Sequence, residues 1–146
     1  MSEPVPLRWR VRATCAAIVI PPLLRLVSFG RLATWLGGAG SAATTNGDGV
    51  HDASLARWVD ALLRRLPGPW RHTCLKRSAV LYHLLRKAGR PVELWIGVRR
   101  DHASEGSLAA HAWLVRDGVP YLEPEPTVPS AHTVIARFPE PARSAP

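Results

Sequence analysis

The stretch CLKRSAVLYHLLRKAGRPVELWIGV, residues 74–98, decides the fold. Its first half reads as a helix from about Thr73 to Ala88. Thr73 suits an N-cap and Gly89 a C-cap. On a wheel of roughly 100° per residue, Lys76, His83 and Lys87 share one narrow stripe, and nearly everything else is apolar. A helix with so thin a polar stripe is buried on most sides. Cys74 falls on the buried side, near Ser78, Leu81 and Leu85. After Gly89, the run Pro91 to Val98 reads as a strand.

Downstream the pattern stays extended. Arg99 to Ser107 is a polar loop, and Leu108 to Arg116 reads as a second strand. Asp117-Gly118 is a hairpin turn signal between apolar flanks. Val119 to Leu122 returns as a third strand, and Thr133 to Phe138 is a candidate fourth. Residues 139–146 read as a frayed, disordered tail. Upstream, Asp52 can cap a helix in which Leu55, Trp58, Val59, Leu62 and Leu66 recur at helical spacing, and Pro67-Gly68-Pro69 stops it. Residues 50–138 therefore predict an α+β core, a helix bearing a cysteine packed on an antiparallel sheet.

Residues 1–45 read as a helical, apolar and basic region ending in a linker. Arg8, Arg10 and Arg12 precede the uncharged run Ala13 to Leu24, which Pro21-Pro22 interrupts. That run falls well short of the ~20 apolar residues of a membrane span. Its layout also fits a signal peptide, but no Ala-x-Ala site follows promptly. Two short helices on the main domain are expected, with Leu23, Leu24, Leu26 and Val27 as a candidate partner surface. Gly37 to Gly49 is rich in small and polar residues, as in a flexible linker.

The whole chain of 146 residues suits one domain, and 47% apolar composition supports a packed core. The formal charge is +8, from 19 Lys+Arg against 11 Asp+Glu. The arginines are scattered, and no basic strand interleaved with aromatics appears, so nucleic-acid binding is not expected. An acidic peptide or protein uses the charge better. Two distant cysteines, Cys15 and Cys74, suit a reducing cytoplasm and not a disulfide scaffold. No metal-ligand spacing is present and no cofactor is implied.

The order of residues after Cys74 carries the chemistry. A cysteine attacks as thiolate. The first turn of a helix favours that anion through free N–H groups and the positive dipole end. His111, on the second strand, can take the thiol proton and later give one to the leaving amine. Trp113 shares the face of His111 and can wall the site from water. The imidazole needs an orienting acceptor. Asp117 at the hairpin tip is about 20 Å away along the strand. With a three-residue loop centred on Asp117, Glu123 faces His111; with a two-residue turn, Pro124 does. Glu123 is favoured, with Glu125 in reserve. Taken singly, each residue has a plainer reading: a small core thiol, a satisfied histidine, a solvated acid. Cys15 reads as inert packing, and the other histidines have no comparable placement beyond possible support from His72.

The block Cys74–Val98, with Ala110-His111-Ala112-Trp113 and the Asp117-Gly118 turn, resembles lasso-peptide leader peptidases of the transglutaminase-like superfamily over residues 55 to about 125. The resemblance implies a papain-like or transglutaminase-like core and a cysteine peptidase that removes the leader from a ribosomally made precursor, before a separate lasso cyclase closes the ring. It carries the nucleophile onto Cys74 and the base onto His111. The third position, an aspartate in the family, falls on Glu123. The chain is expected to be the split form, which borrows leader recognition from a small separate protein. Two other readings are a transglutaminase-like acyl transferase with the same thioester chemistry and a non-enzymatic binding module.

Overall fold

The computed structural model describes residues 4–38, 50–68, 73–103, 106–125, 127 and 129–139. Four helices come first: α1 (Leu7–Leu26), α2 (Phe29–Gly38), α3 (Asp52–Arg65) and α4 (Cys74–Lys87). Four strands follow: β1 (Glu93–Arg100), β2 (Leu108–Arg116), β3 (Val119–Tyr121) and β4 (Thr133–Phe138). They form one antiparallel sheet in the order β3-β2-β1-β4. The α+β expectation holds.

Helix α4 is the centre of the molecule. It packs on β1 and β2 on one side and meets α1, α2 and α3 on the others. Ala79, Val80, Leu81, Tyr82, Leu84 and Leu85 are fully buried there. Truncating one of those leucines to alanine would cost about 2–5 kcal/mol. Thr73 caps the helix, its Oγ1 accepting from Lys76 N at 3.3 Å. Gly89, at φ 77, closes the other end in the left-handed region that suits glycine.

The N-terminal helices share the same core. Trp9, Ala13, Ala17 and Ile20 of α1 lie in one apolar cluster with Leu55, Leu81 and Leu94. Pro21-Pro22 do not interrupt this segment: α1 runs through them to Leu26, and the break comes at Val27 and Ser28. Burial of Ile20 and Pro21 offsets the backbone hydrogen bonds the prolines cannot donate. Leu23 and Leu24 are half-buried against the core, so of the expected surface residues only Leu26 and Val27 are exposed. Helix α2 continues through Gly37 and Gly38, where a linker was expected; the linker residues 39–49 and the tail residues 140–146 lie outside the described residues. No helix among the described residues is long and apolar enough to cross a membrane.

The hairpin between β2 and β3 turns on two residues. Asp117 and Gly118 have φ of 52 and 77, the paired positive values of a tight hairpin. The register pairs Leu114 with Tyr121 and Arg116 with Val119. The three-residue loop that put Glu123 opposite His111 is therefore not the one formed. Across the other edge of β2, His111 pairs with Gly97 of β1. Asp52 does not cap α3: His51 is the N-cap, and its side chain makes no capping bond. The Asp52 carboxylate instead accepts from Arg90 Nε at 3.0 Å and from Tyr121 Oη at 2.6 Å.

Candidate functional site

Cys74 is the first residue of α4, half-buried. The N–H groups of a helix's first turn have no intrahelical acceptor. In α4 the capping threonine side chain takes Lys76 N, and Arg77 N reaches the Thr73 carbonyl at 3.0 Å. The positive end of the helix dipole lies at Cys74. No acidic residue stands in that turn. Lys76 adds positive charge; burial, then Arg25 at the end of α1, hold its pKa below the usual value.

One cavity of about 380 Å³ is lined by Cys74, His111 and Glu123, together with Arg77, Ser78, Arg99 and Glu125. Ser78, one turn after Cys74, donates to the Ala112 carbonyl at 2.9 Å and staples α4 to β2 beside His111. His111 Nε2 meets Glu123 Oε1 at 3.3 Å, with the two side chains 18% and 7% exposed. With Nε2 carrying the hydrogen, Nδ1 is the ring nitrogen that remains an acceptor. Trp113 stacks on the imidazole at 5.8 Å between centroids and 16° between planes. Asp117 stays at the hairpin tip, 86% exposed beside Arg116.

Glu123 reaches His111 by a route other than the expected one. The two-residue turn would continue to Pro124 opposite His111. The ladder ends at Tyr121 instead, and Leu122 takes φ 56. That left-handed residue swings the chain out of register and delivers Glu123 to the imidazole.

Several residues of the site escaped the sequence reading. Arg77 is buried and donates to Asp60 Oδ1 at 2.6 Å and to the Leu122 carbonyl at 2.9 Å. A guanidinium within an apolar helix face must be paired, and that was the available signal. His132 lies 5.5 Å from His111 and 6.2 Å from Trp113, centroid to centroid, a placement nothing local in the sequence announces. Cys15 is exposed on α1 and not packed. His72 lies outside the described residues. Among the described residues, no group of three His, Cys, Asp or Glu could hold a metal ion.

Residues 16–137 match the description "Transglutaminase-like superfamily", most of the chain. The chain belongs to this superfamily. Its members are usually cysteine-based enzymes, and the α+β fold described above is of that type. The superfamily match begins within α1, so it takes in the end of that helix as well as the α4 and sheet unit. No curated protein and no solved structure matches the chain.

Proposed function

We propose that this superfamily member is a cysteine peptidase that removes the leader from a lasso-peptide precursor. Its nucleophile would be Cys74, its base His111 and its orienting acid Glu123. The reading rests above all on the 3.3 Å contact of His111 Nε2 with Glu123 Oε1 in the cavity that Cys74 also lines. The resemblance of the Cys74 and His111 blocks to leader peptidases supports the substrate class.

His111 Nδ1 takes the thiol proton, and Glu123 stabilises the resulting imidazolium. The Cys74 sulfur attacks the scissile carbonyl, and the Cys74 backbone N–H would stabilise the oxyanion. His111 protonates the departing amine, freeing the core peptide. Water, deprotonated by His111, then hydrolyses the thioester and releases the leader. A separate leader-binding protein and a lasso cyclase would act beside it, in the cytoplasm. Leu26, 81% exposed and next to Arg25, belongs to the surface proposed to receive the first.

The experiment supplies precursor and leader-binding protein in H₂¹⁸O with a free amine present. A peptidase gives a leader whose new carboxylate carries ¹⁸O, and Cys74→Ala gives none. Incorporation of the amine would make the protein an acyl transferase. Wild-type cleavage by Cys74→Ala would remove Cys74 from the role, and no turnover by either would favour a binding module.

A further inference from the structure

Glu123 stands beside His111 only because Leu122 leaves the β3 ladder in a left-handed conformation. Leucine has no glycine-like freedom there, so the conformation must be imposed from outside. We propose that Arg77, braced by Asp60, is the positioning residue that imposes it and so holds Glu123 against His111. This inference rests on the roles assigned above to Cys74, His111 and Glu123.

The geometry is a two-ended clamp. Arg77 Nε donates to Asp60 Oδ1 at 2.6 Å and Nη2 to Asp60 Oδ2 at 3.3 Å. The same Nη2 donates to the Leu122 carbonyl at 2.9 Å. The side chains of Arg77 and Asp60 are 7% and 17% exposed. The clamp therefore joins three elements, α3 through Asp60, α4 through Arg77 and the segment after β3 through Leu122. One residue further on, the Glu123 carboxylate meets the imidazole.

Burial makes the arrangement rigid. A guanidinium taken out of water needs its charge answered, and Asp60 answers it. An ion pair so buried is weak as a stabiliser, since apolar side chains of the same volume often do as well. Its distinctive property is direction: the planar fork fixes Nη2 relative to Asp60 and hence fixes the carbonyl it holds. Lysine keeps the charge but has no fork, so it cannot grip both carboxylate oxygens and the carbonyl in this geometry.

The test needs no natural substrate. In a Cys15→Ala background Cys74 is the one thiol, and its alkylation by iodoacetamide is followed against pH, with thermal unfolding measured in parallel. A thiolate held beside an oriented imidazolium reacts at pH values where an ordinary thiol is protonated. At about pH 6, Arg77→Lys is expected to slow alkylation roughly tenfold, as Glu123→Gln does, because both leave His111 unoriented. The double variant should be no slower than Glu123→Gln alone, since Arg77 acts through Glu123. Asp60→Asn provides a second route to the same cycle if Arg77→Lys fails to fold. Unchanged alkylation in folded Arg77→Lys, or losses that multiply in the double variant, would overturn the clamp while leaving the catalytic roles in place. Alkylation with an ordinary thiol profile, insensitive to Glu123→Gln, would overturn both.

Discussion

Gly97 faces His111 across the β1–β2 ladder, and the space left by its missing side chain is filled by Trp113 and His132. A Cβ at position 97 would stand 2.8 Å from Trp113 Cη2 and 2.9 Å from His132 Cβ. Both are closer than carbon atoms tolerate, and β1 cannot retreat while it pairs with β2 and β4. Trp113 must move, and with it the ring stacked on His111. Gly97→Ala is therefore expected to cost about 1–3 kcal/mol of stability. It should also alter the near-ultraviolet circular dichroism of the tryptophans and slow Cys74 alkylation. A variant with wild-type stability and spectrum would mean that the indole has room to yield.

Glu123, against His111, and Asp117, at the hairpin tip, are expected to behave oppositely. The Glu123 side chain is 7% exposed and in contact with the imidazole, whereas that of Asp117 is 86% exposed at the tip. Glu123→Gln preserves shape but removes the charge that stabilises the imidazolium, so turnover should fall by about 10²- to 10⁴-fold. Asp117→Asn should leave turnover nearly unchanged, because asparagine tolerates the positive φ required there. The comparison is made by mass spectrometry of cleaved precursor at equal concentrations of folded protein. Equal losses in the two variants would mean that charge near the hairpin matters, and not the Glu123 contact.

That pair of residues also shows what could be read in advance. The strand boundaries of β2 and β4, the Asp117-Gly118 turn and the Thr73 cap follow from local rules, because each residue's own preference agrees with the element it enters. The position of Glu123 does not. Its side chain reaches His111 although the expected three-residue loop is replaced by a two-residue turn. The departure at Leu122 is a conformation that leucine disfavours, imposed by an arginine 45 residues earlier in the chain. No local pattern contains such a contact. Arg77 nevertheless left a trace, since it is a charge standing off the polar stripe of Lys76, His83 and Lys87. The same limit applies to α1, where packing of Ile20 and Pro21 carries a helix through two prolines.

Tyr121 is the last residue of β3, and its hydroxyl donates to Asp52 Oδ2 at 2.6 Å. Tyr121→Phe removes this bond and a longer one that the hydroxyl accepts from Arg116 Nη1 at 3.4 Å, while Asp52 keeps Arg90, so a loss of about 1–2 kcal/mol is expected. Burial first, then the Asp52 hydrogen bond, raise the Tyr121 pKa above its ordinary 10.0. A raised pKa means that the folded state holds the proton more tightly. This contribution is complete below the unfolded value and is lost as pH rises through the folded one. Wild-type stability should therefore decline above about pH 10 by a component that Tyr121→Phe lacks. Urea unfolding of both proteins across that range makes the comparison; parallel alkaline limbs would mean that Tyr121 titrates alike in the folded and unfolded chains.

His83 was expected on the polar stripe of α4, but α2 covers it. Trp35 stacks on its ring at 6.0 Å and 7°, and His83 Nδ1 lies 3.4 Å from the Leu36 carbonyl. Burial is the largest influence on its pKa and lowers it from 6.5; the Leu36 carbonyl works against this, and Lys87 adds to it. The unfolded chain therefore takes up a proton at a higher pH than the folded one. Stability must fall as pH drops through the unfolded value toward the folded one, and the loss is complete below the latter. Replacement by glutamine keeps a polar side chain that cannot charge. Thermal unfolding between about pH 8 and pH 5 should show the wild type losing stability relative to His83→Gln, with the gap opening as pH falls below about 6.5. The gap should persist in high salt, because loss of hydration and not the Lys87 charge is the main cause. Curves that stay parallel throughout would show that α2 opens to let the imidazole charge in water, and that the Trp35 stack does not bury it.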